Sequence, residues 1–344
     1  MSLMQVMAGA SVGGAEAFFE RLAIALNSRS VEQTVVVRNN ESRVHRLRQA
    51  GIEPTTLRFG GFLDISTRSK LKRLIDRTQP QIVLAWMNRA TAMCPRPSAA
   101  RKFVLVARLG GYYNLKHYQH CDHLIANTHG IRSYLLGQGW APERVHYLPN
   151  FVEPAESAGR TATVPGMKPG GRNIFAAGRL HKNKGFDVLI RALSMVADAQ
   201  LCIAGSGPLE YELRALAAQV GVAERITWLG WQQKPGDYYR ATDVFVCSSR
   251  HEPLGNVIVE AWACGAPVVA AAAQGPVELI NDGTDGLLVP IDDSAKLATA
   301  ITTVLARPSL QQSLASAGRE RFLVSFTKEA VLDQYMTFFE GIVA

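Results

Sequence analysis

Short apolar runs alternate with stretches of helical spacing from one end of this chain to the other. In the first half, runs at 3–8, 34–37, 82–86, 103–107 and 123–126 predict strands, and apolar stripes at 15–26, 69–77 and 131–136 predict amphipathic helices. In the second half the strand signals fall at 173–177, 200–204, 226–229, 244–247, 268–271 and 286–289. Helices are expected in the gaps, with Pro208 as the first helical residue of one. Strands that alternate with helices form parallel sheets covered on both faces, the α/β class. Between the halves, 149–171 holds four prolines and four glycines with little apolar periodicity, which reads as a linker. At 344 residues the chain is long for one core, and two domains of about 150 residues each are expected, divided at 158/159.

Composition, at 47% hydrophobic and 19% charged, is that of an ordinary globular protein. The five cysteines are scattered without a Cys-x-x-Cys pair, which argues for a reducing compartment and against a disulfide or zinc framework. Residues 1–10 lack a basic n-region and run straight into a strand-turn-helix pattern, so no signal peptide is read there. No apolar run approaches the roughly 18 residues of a membrane span. A cytoplasmic protein is expected. Charge changes the picture further. Residues 1–158 carry 20 Lys+Arg against 11 Asp+Glu, or +9, whereas 159–344 carry 17 against 18, or −1. A basic first half suits an anionic partner molecule or the anionic inner face of the plasma membrane; the plain alternative is a solvated basic surface. No nucleic-acid partner is expected.

The densest chemistry lies at 248–267, S-S-R-H-E-P-L-G-N-V-I-V-E-A-W-A-C-G-A-P. It follows the strand run at 244–247 and leads into a helical pattern with Val257, Ile258, Ala261 and Trp262 on its apolar side, closed by Gly265 and Pro267. A helix beginning at Leu254 or Gly255 points free backbone N–H groups and the positive end of its dipole beside the loop, a setting for a phosphate. Glu252 belongs to that loop, and Glu260 lies one turn after Asn256 on the same helix face. A carboxylate beyond a phosphate site can accept hydrogen bonds from sugar hydroxyls, so the stretch reads as a nucleotide-sugar site. The bland alternative is a buried helix with a solvated Glu at each end.

In this setting the E-x7-E pattern resembles the donor site of the family 4 retaining glycosyltransferases of GT-B fold, the glycosyl transferases group 1. The resemblance implies two doubly wound, Rossmann-like parallel-sheet domains facing a cleft. An acceptor-side domain would occupy 1–158 and a donor-binding domain 159–327, with a last helix, 328–344, returning to the first. In that family the second Glu holds the ribose and the first lies near the transferred sugar; Glu260 and Glu252 match those places. Arg179 and Lys184, in G-R-x4-K-G after a strand, can both reach a diphosphate, one as a planar fork and the other as a compact charge. They resemble the family's phosphate-binding pair. Gly13 and Gly14 open a turn similar to the family's G-G-A-E turn, whose backbone faces the donor phosphates; the glycine spacing is not that of a dinucleotide fingerprint. Gly207 lies in a turn resembling the family's G-x-G-P, and Gly230, beside Trp231, follows the strand near which the family places its base.

One departure stands out. Many members carry a His after a strand of the first domain, whereas the residue after the 103–107 run here is Arg108. Arg cannot act as a base, and Arg108 is placed with the donor-binding residues as a ligand for phosphate or for an acidic acceptor. His117, His120, His123 and His129 come later, His123 within a strand pattern. No Asp-x-Asp triad marks a divalent-metal site, and Asp292-Asp293 reads as a helix start.

The expected activity is retaining, metal-independent transfer of a hexosyl-type sugar from a nucleotide diphosphate sugar to a hydroxyl of a glycan or lipid-linked acceptor. The expected setting is cell-surface glycan or lipopolysaccharide-type synthesis. Glu252, Arg179 and Lys184 are the catalytic candidates. Gly13, Gly14, Arg108, Gly207, Gly230, Leu254, Gly255, Asn256 and Glu260 are the donor-binding ones. No cofactor is expected beyond the nucleotide-sugar co-substrate, a UDP-sugar ahead of a GDP- or ADP-sugar. Two alternatives remain: a GT-B-fold nucleotide-sugar epimerase, which needs several acid/base groups around the sugar, and a non-catalytic nucleotide-sugar-binding protein.

Overall fold

A computed structural model describes residues 1–10, 13–60, 64–99, 101–153, 164–232 and 235–343. They separate into two compact units, one of Met1–Phe151 with Lys328–Ala344, the other of Val152–Thr327. The expected boundary at 158/159 lies outside the described residues, as does much of the 149–171 linker.

The first unit runs β1 (Ser2–Met7), α1 (Gly14–Ser28), β2 (Glu32–Arg38), α2 (Glu41–Gln49), β3 (Thr55–Leu57), α3 (Ile65–Thr78), β4 (Ile82–Trp86), α4 (Met87–Met93), β5 (Val104–Leu109), β6 (His123–Ala126), α5 (His129–Gly137) and β7 (Val145–Tyr147). The seven strands pair in parallel in the order β3-β2-β1-β4-β5-β6-β7. The strand centres are mostly apolar because both sheet faces are covered. Val35 and Val37 pack on one side with Phe18, Leu22 and Phe151, and Val36 packs on the other with Leu71 and Leu74. Helix starts carry their own stop signals: Asn40, Asp64 and Thr128 accept from the backbone N–H of Arg43, Thr67 and Ile131.

The second unit runs β8 (Arg172–Ala177), α6 (Phe186–Ser194), β9 (Ala199–Ala204), α7 (Glu210–Gln219), β10 (Ile226–Gly230), α8 (Gly236–Ala241), β11 (Val244–Cys247), α9 (Asn256–Ala263), β12 (Val268–Ala271), α10 (Gln274–Leu279), β13 (Leu287–Val289), α11 (Ser294–Ala306) and α12 (Pro308–Ser325). Its parallel sheet has the order β10-β9-β8-β11-β12-β13. Pro208 is not the first helical residue: it lies in the turn before α7, which starts at Glu210.

The last helix, α13 (Lys328–Val343), belongs to the first unit. It buries Val331, Leu332, Tyr335, Phe338 and Phe339 in the core that contains Phe18, Trp86 and Val106. Full burial of a large apolar side chain contributes about 1.5–3 kcal/mol, so this face holds the helix firmly.

Tyr335 also corrects the reading of Arg108. The strand was expected to stop at 107, but β5 continues to Leu109, and Arg108 lies inside it with 1% of its surface exposed. Its guanidinium sits over the rings of Phe18 and Trp86, at 4.7 and 4.8 Å from their centroids. Its Nε donates to Tyr335 Oη at 2.8 Å and its Nη2 to Asn150 Oδ1 at 2.5 Å. A cation so enclosed is not available to a donor phosphate, and Arg108 leaves the donor set.

Candidate functional site

In the second sheet, β8 and β11 are neighbours whose chains leave in opposite directions, β8 toward β9 and β11 toward β12. Where the strand order reverses, the loops at the carboxyl ends part and leave a crevice in which ligands of open α/β sheets bind. The residues singled out by sequence flank this point: Gly178 to Gly185 follow β8, and Ser248 to Gly255 follow β11.

The two loops are pressed together. Gly185 sits at φ 62°, and a side-chain carbon there would come within 2.1 Å of the Ser248 carbonyl oxygen, so only glycine fits. Ser248 Oγ donates to the Lys184 carbonyl at 3.0 Å. The Lys184 ammonium then meets the Glu252 carboxylate in an ion pair. Glu252, 8% exposed, also accepts from Ser249 Oγ at 3.2 Å and from the Gly255 N–H at 3.4 Å. Its backbone carbonyl takes the Gly275 N–H at 2.7 Å. Glu252 is therefore fixed by a cation, a hydroxyl and an amide at the start of α9.

The helix begins at Asn256 rather than at Leu254 or Gly255, because Gly255 turns the chain at φ 77°. Asn256 and Glu260 follow at one-turn spacing. Glu260 Oε2 accepts from the Tyr239 hydroxyl at 3.0 Å. Tyr239 is 1% exposed, and burial together with that carboxylate raises its phenol pKa well above the ordinary value. Arg179 is exposed just beyond the end of β8, at the same sheet edge.

Among the remaining glycines, Gly207 and Gly13 stand where a side chain would clash with its neighbours. A side chain at Gly207 would come within 2.3 Å of the Leu180 carbonyl oxygen; Leu180 N–H bonds to Ser206 at 3.0 Å, so this turn supports the Arg179 turn from below. The Gly230 carbonyl accepts from Gly205 at 2.7 Å, and Trp231 beside it is 65% exposed. In the first unit, the Glu16 carboxylate fills the space beside Gly9 and Gly13, where any side chain would lie within 2.3 Å of it, and accepts the Ala10 N–H at 2.8 Å. Gly14 has open space around it.

Sequence reading missed the groups that hold the site: Ser249, Tyr239, Arg250, Asp187 and Asp292. Arg250, two residues before Glu252, was the visible signal; its partners lie 63 and 42 residues away. Among the described residues no group of three or more His, Cys, Asp or Glu could hold a metal ion.

Two parallel-sheet α/β units of this topology, the second with cations and carboxylates at its switch point, have the form of a GT-B glycosyltransferase. Residues 171–307 match the family described as Glycosyl transferases group 1, and residues 12–156 match Glycosyltransferase Family 4. The chain is 35% identical over 330 residues to the lipopolysaccharide core biosynthesis glycosyltransferase LpsE of Rhizobium meliloti (strain 1021), covering 94% of this chain and 95% of that one. It is 32% identical over 351 residues to LpsD of the same organism, a protein of the same description, covering 100% and 99%. In fold it is similar to Anabaena HepE, solved in complex with UDP and glucose, with a TM-score of 0.80 at 20% identity over 99% of this chain and 100% of that one. The chain belongs to glycosyltransferase family 4.

Proposed function

We propose that this glycosyltransferase is a retaining, metal-independent enzyme that takes a sugar from a UDP-sugar and attaches it to a hydroxyl of a lipopolysaccharide-core acceptor. The acceptor class is supported by LpsE and LpsD, which this chain matches along nearly their whole length. UDP is supported by the nucleotide bound in HepE. One observation carries the mechanism: the Lys184–Glu252 ion pair at the switch point, beside the amide end of α9.

A diphosphate held by Lys184, Arg179 and the start of α9 has its departing charge met by preorganised cations and dipoles, usually the largest catalytic term. Glu252, paired with Lys184, places a carboxylate next to that diphosphate, where positive charge develops on the sugar. Glu260, oriented by Tyr239, accepts from ribose hydroxyls. The bond from the sugar's anomeric carbon to the diphosphate breaks, and the acceptor oxygen bonds to that carbon from the same face. The acceptor's proton passes to the leaving phosphate oxygen. The basic first unit is assigned to an anionic acceptor or membrane surface.

The test is a panel of UDP-, GDP- and ADP-sugars incubated with the protein, with and without EDTA. One UDP-sugar should be hydrolysed slowly to nucleoside diphosphate and a sugar of retained anomeric configuration, unaffected by the chelator. An epimerised nucleotide sugar with no diphosphate released would point to an isomerase. Activity lost to EDTA and restored by Mg²⁺ or Mn²⁺ would refute metal independence.

A further inference from the structure

We propose that Arg250 is a positioning residue of the donor site, setting the register between the turn that carries Lys184 and the loop that carries Glu252. The inference rests on the reading of Lys184 and Glu252 as donor-site residues.

Arg250 is attached on both sides of Lys184. Before it in the chain, the Arg250 N–H donates to the Asn183 carbonyl at 2.8 Å, joined by the His251 N–H at 3.1 Å, and Nη1 donates to the Lys182 carbonyl at 2.9 Å. After it, Nη1 and Nη2 form a fork on the two carboxylate oxygens of Asp187, at 2.8 and 2.6 Å. The remaining edge, Nε, donates to Asp292 Oδ1 at 2.5 Å. One side chain thus gathers the turn after β8, the first turn of α6 and the segment before α11, and Glu252 follows two residues later in the chain.

Two features indicate that this arrangement serves geometry rather than global stability. The side chains of Arg250, Asp187 and Asp292 are 23%, 40% and 55% exposed, so water screens their attraction, and what the bidentate fork and its network supply is mainly a fixed geometry. Asp292 is nevertheless held at φ 62°, a backbone region that L-residues other than Asn and Asp rarely enter. Asp293, next to it, does the ordinary work of capping α11 by accepting the Lys296 N–H at 2.8 Å. An Asp, which tolerates this angle, thus supplies the carboxylate that reaches Arg250. Arg250 in turn holds the Asp187 carboxyl below its ordinary pKa, so both members are charged at neutral pH. A lysine could not substitute, because a single ammonium cannot span a bidentate carboxylate, a carbonyl and a second carboxylate.

The experiment is a double-mutant cycle of Arg250→Gln and Lys184→Ala. It is read as release of UDP from the UDP-sugar chosen by the panel, with the Kd of free UDP from calorimetry and the Tm of every variant. Arg250→Gln should lower kcat about tenfold to a hundredfold, the scale of a displaced catalytic group, with little change in Tm. In the Lys184→Ala background the same substitution should change kcat by less than about twofold, because one of the two groups whose register it sets is gone and the ion pair that the register serves no longer forms. Arg250→Lys should not restore activity. Should Arg250→Gln fail to fold, Asp292→Asn, which tolerates the same backbone angle, carries the test with a smaller loss that again vanishes without Lys184. Equal losses in both backgrounds, or rescue by Arg250→Lys, would overturn the proposal while leaving the donor site intact. If Lys184→Ala by itself changes neither kcat nor UDP affinity, the donor-site reading fails, and the role of Arg250 fails with it.

Discussion

Lys184 and Glu252, 68 residues apart in the chain, meet in an ion pair at the carboxyl ends of two neighbouring parallel strands. The pair changes what substitution at either carboxylate of the site should do.

Glu252→Gln removes the counter-charge of Lys184 and frees the ammonium for a phosphate. Free UDP, which lacks the sugar, should bind this variant at least as tightly as the native protein, while kcat falls, because the lost contact acts on charge that develops during reaction. Glu260→Gln should weaken UDP binding by about 1.5–3 kcal/mol, the range for hydrogen bonds to a charged group. Calorimetry on free UDP and turnover on the UDP-sugar separate the two. The reverse pattern would mean the two roles have been exchanged.

Arg108→Ala tests the removal of Arg108 from the donor set. It empties a fully buried site and removes one hydrogen bond each from Tyr335 Oη and Asn150 Oδ1, which should cost about 3 kcal/mol of stability. Denaturant midpoints should drop while UDP affinity per folded molecule stays constant. A selective loss of UDP affinity would restore Arg108 to the site.

His123 Nδ1 and His146 Nε2 lie 3.1 Å apart, with Phe338 of α13 packed on the His146 ring at 4.5 Å. Burial, then His123 and Arg132, lower the His146 pKa from 6.5 to about 4, and burial lowers that of His123. A histidine whose pKa is lower folded than unfolded gives full stability above about pH 6.5 and loses it as pH falls toward 4. Protection factors in Lys328–Val343, corrected for the intrinsic exchange rate at each pH, should therefore fall over that window, and less so in His146→Gln. Identical pH profiles in the two proteins would show that the pair does not control the helix.

Arg68, Lys70, Lys72, Arg73 and Arg77 lie on the exposed side of α3, while Leu71, Leu74 and Ile75 are buried in the core. Membrane attraction through this face would be electrostatic only, about 1 kcal/mol for each basic residue near an anionic surface. Sedimentation with anionic vesicles should occur at low salt and disappear at high salt, with no binding to neutral vesicles. Equal binding to both kinds, or to neither, would leave the charge as a solvated face.

What the chain determined alone was whatever depends on short-range pattern. Val244–Cys247 and Val268–Ala271 were predicted to the residue, because strands buried on both faces are continuous apolar runs bounded by polar or turn residues. The positions of Glu252, Glu260, Arg179 and Lys184 at a strand end or on a helix turn were legible from spacing, whereas their roles came from the family resemblance. β3 and β7 were not, since Thr55-Thr56-Leu57 and Val145-His146-Tyr147 offer no continuous apolar run, unlike the equally short β13, Leu287–Val289. Arg108 was misplaced because a charge at the end of an apolar run looks like a strand boundary. Only the return of α13, 227 residues later, brings the Tyr335 hydroxyl that lets a cation stay in the core. The bracing of the Lys184 turn by Arg250, Asp187 and Asp292 was likewise decided by tertiary structure: hydrogen bonds between segments tens of residues apart leave no periodicity in the sequence, and they exist only once the parallel sheet has brought its loops to one edge.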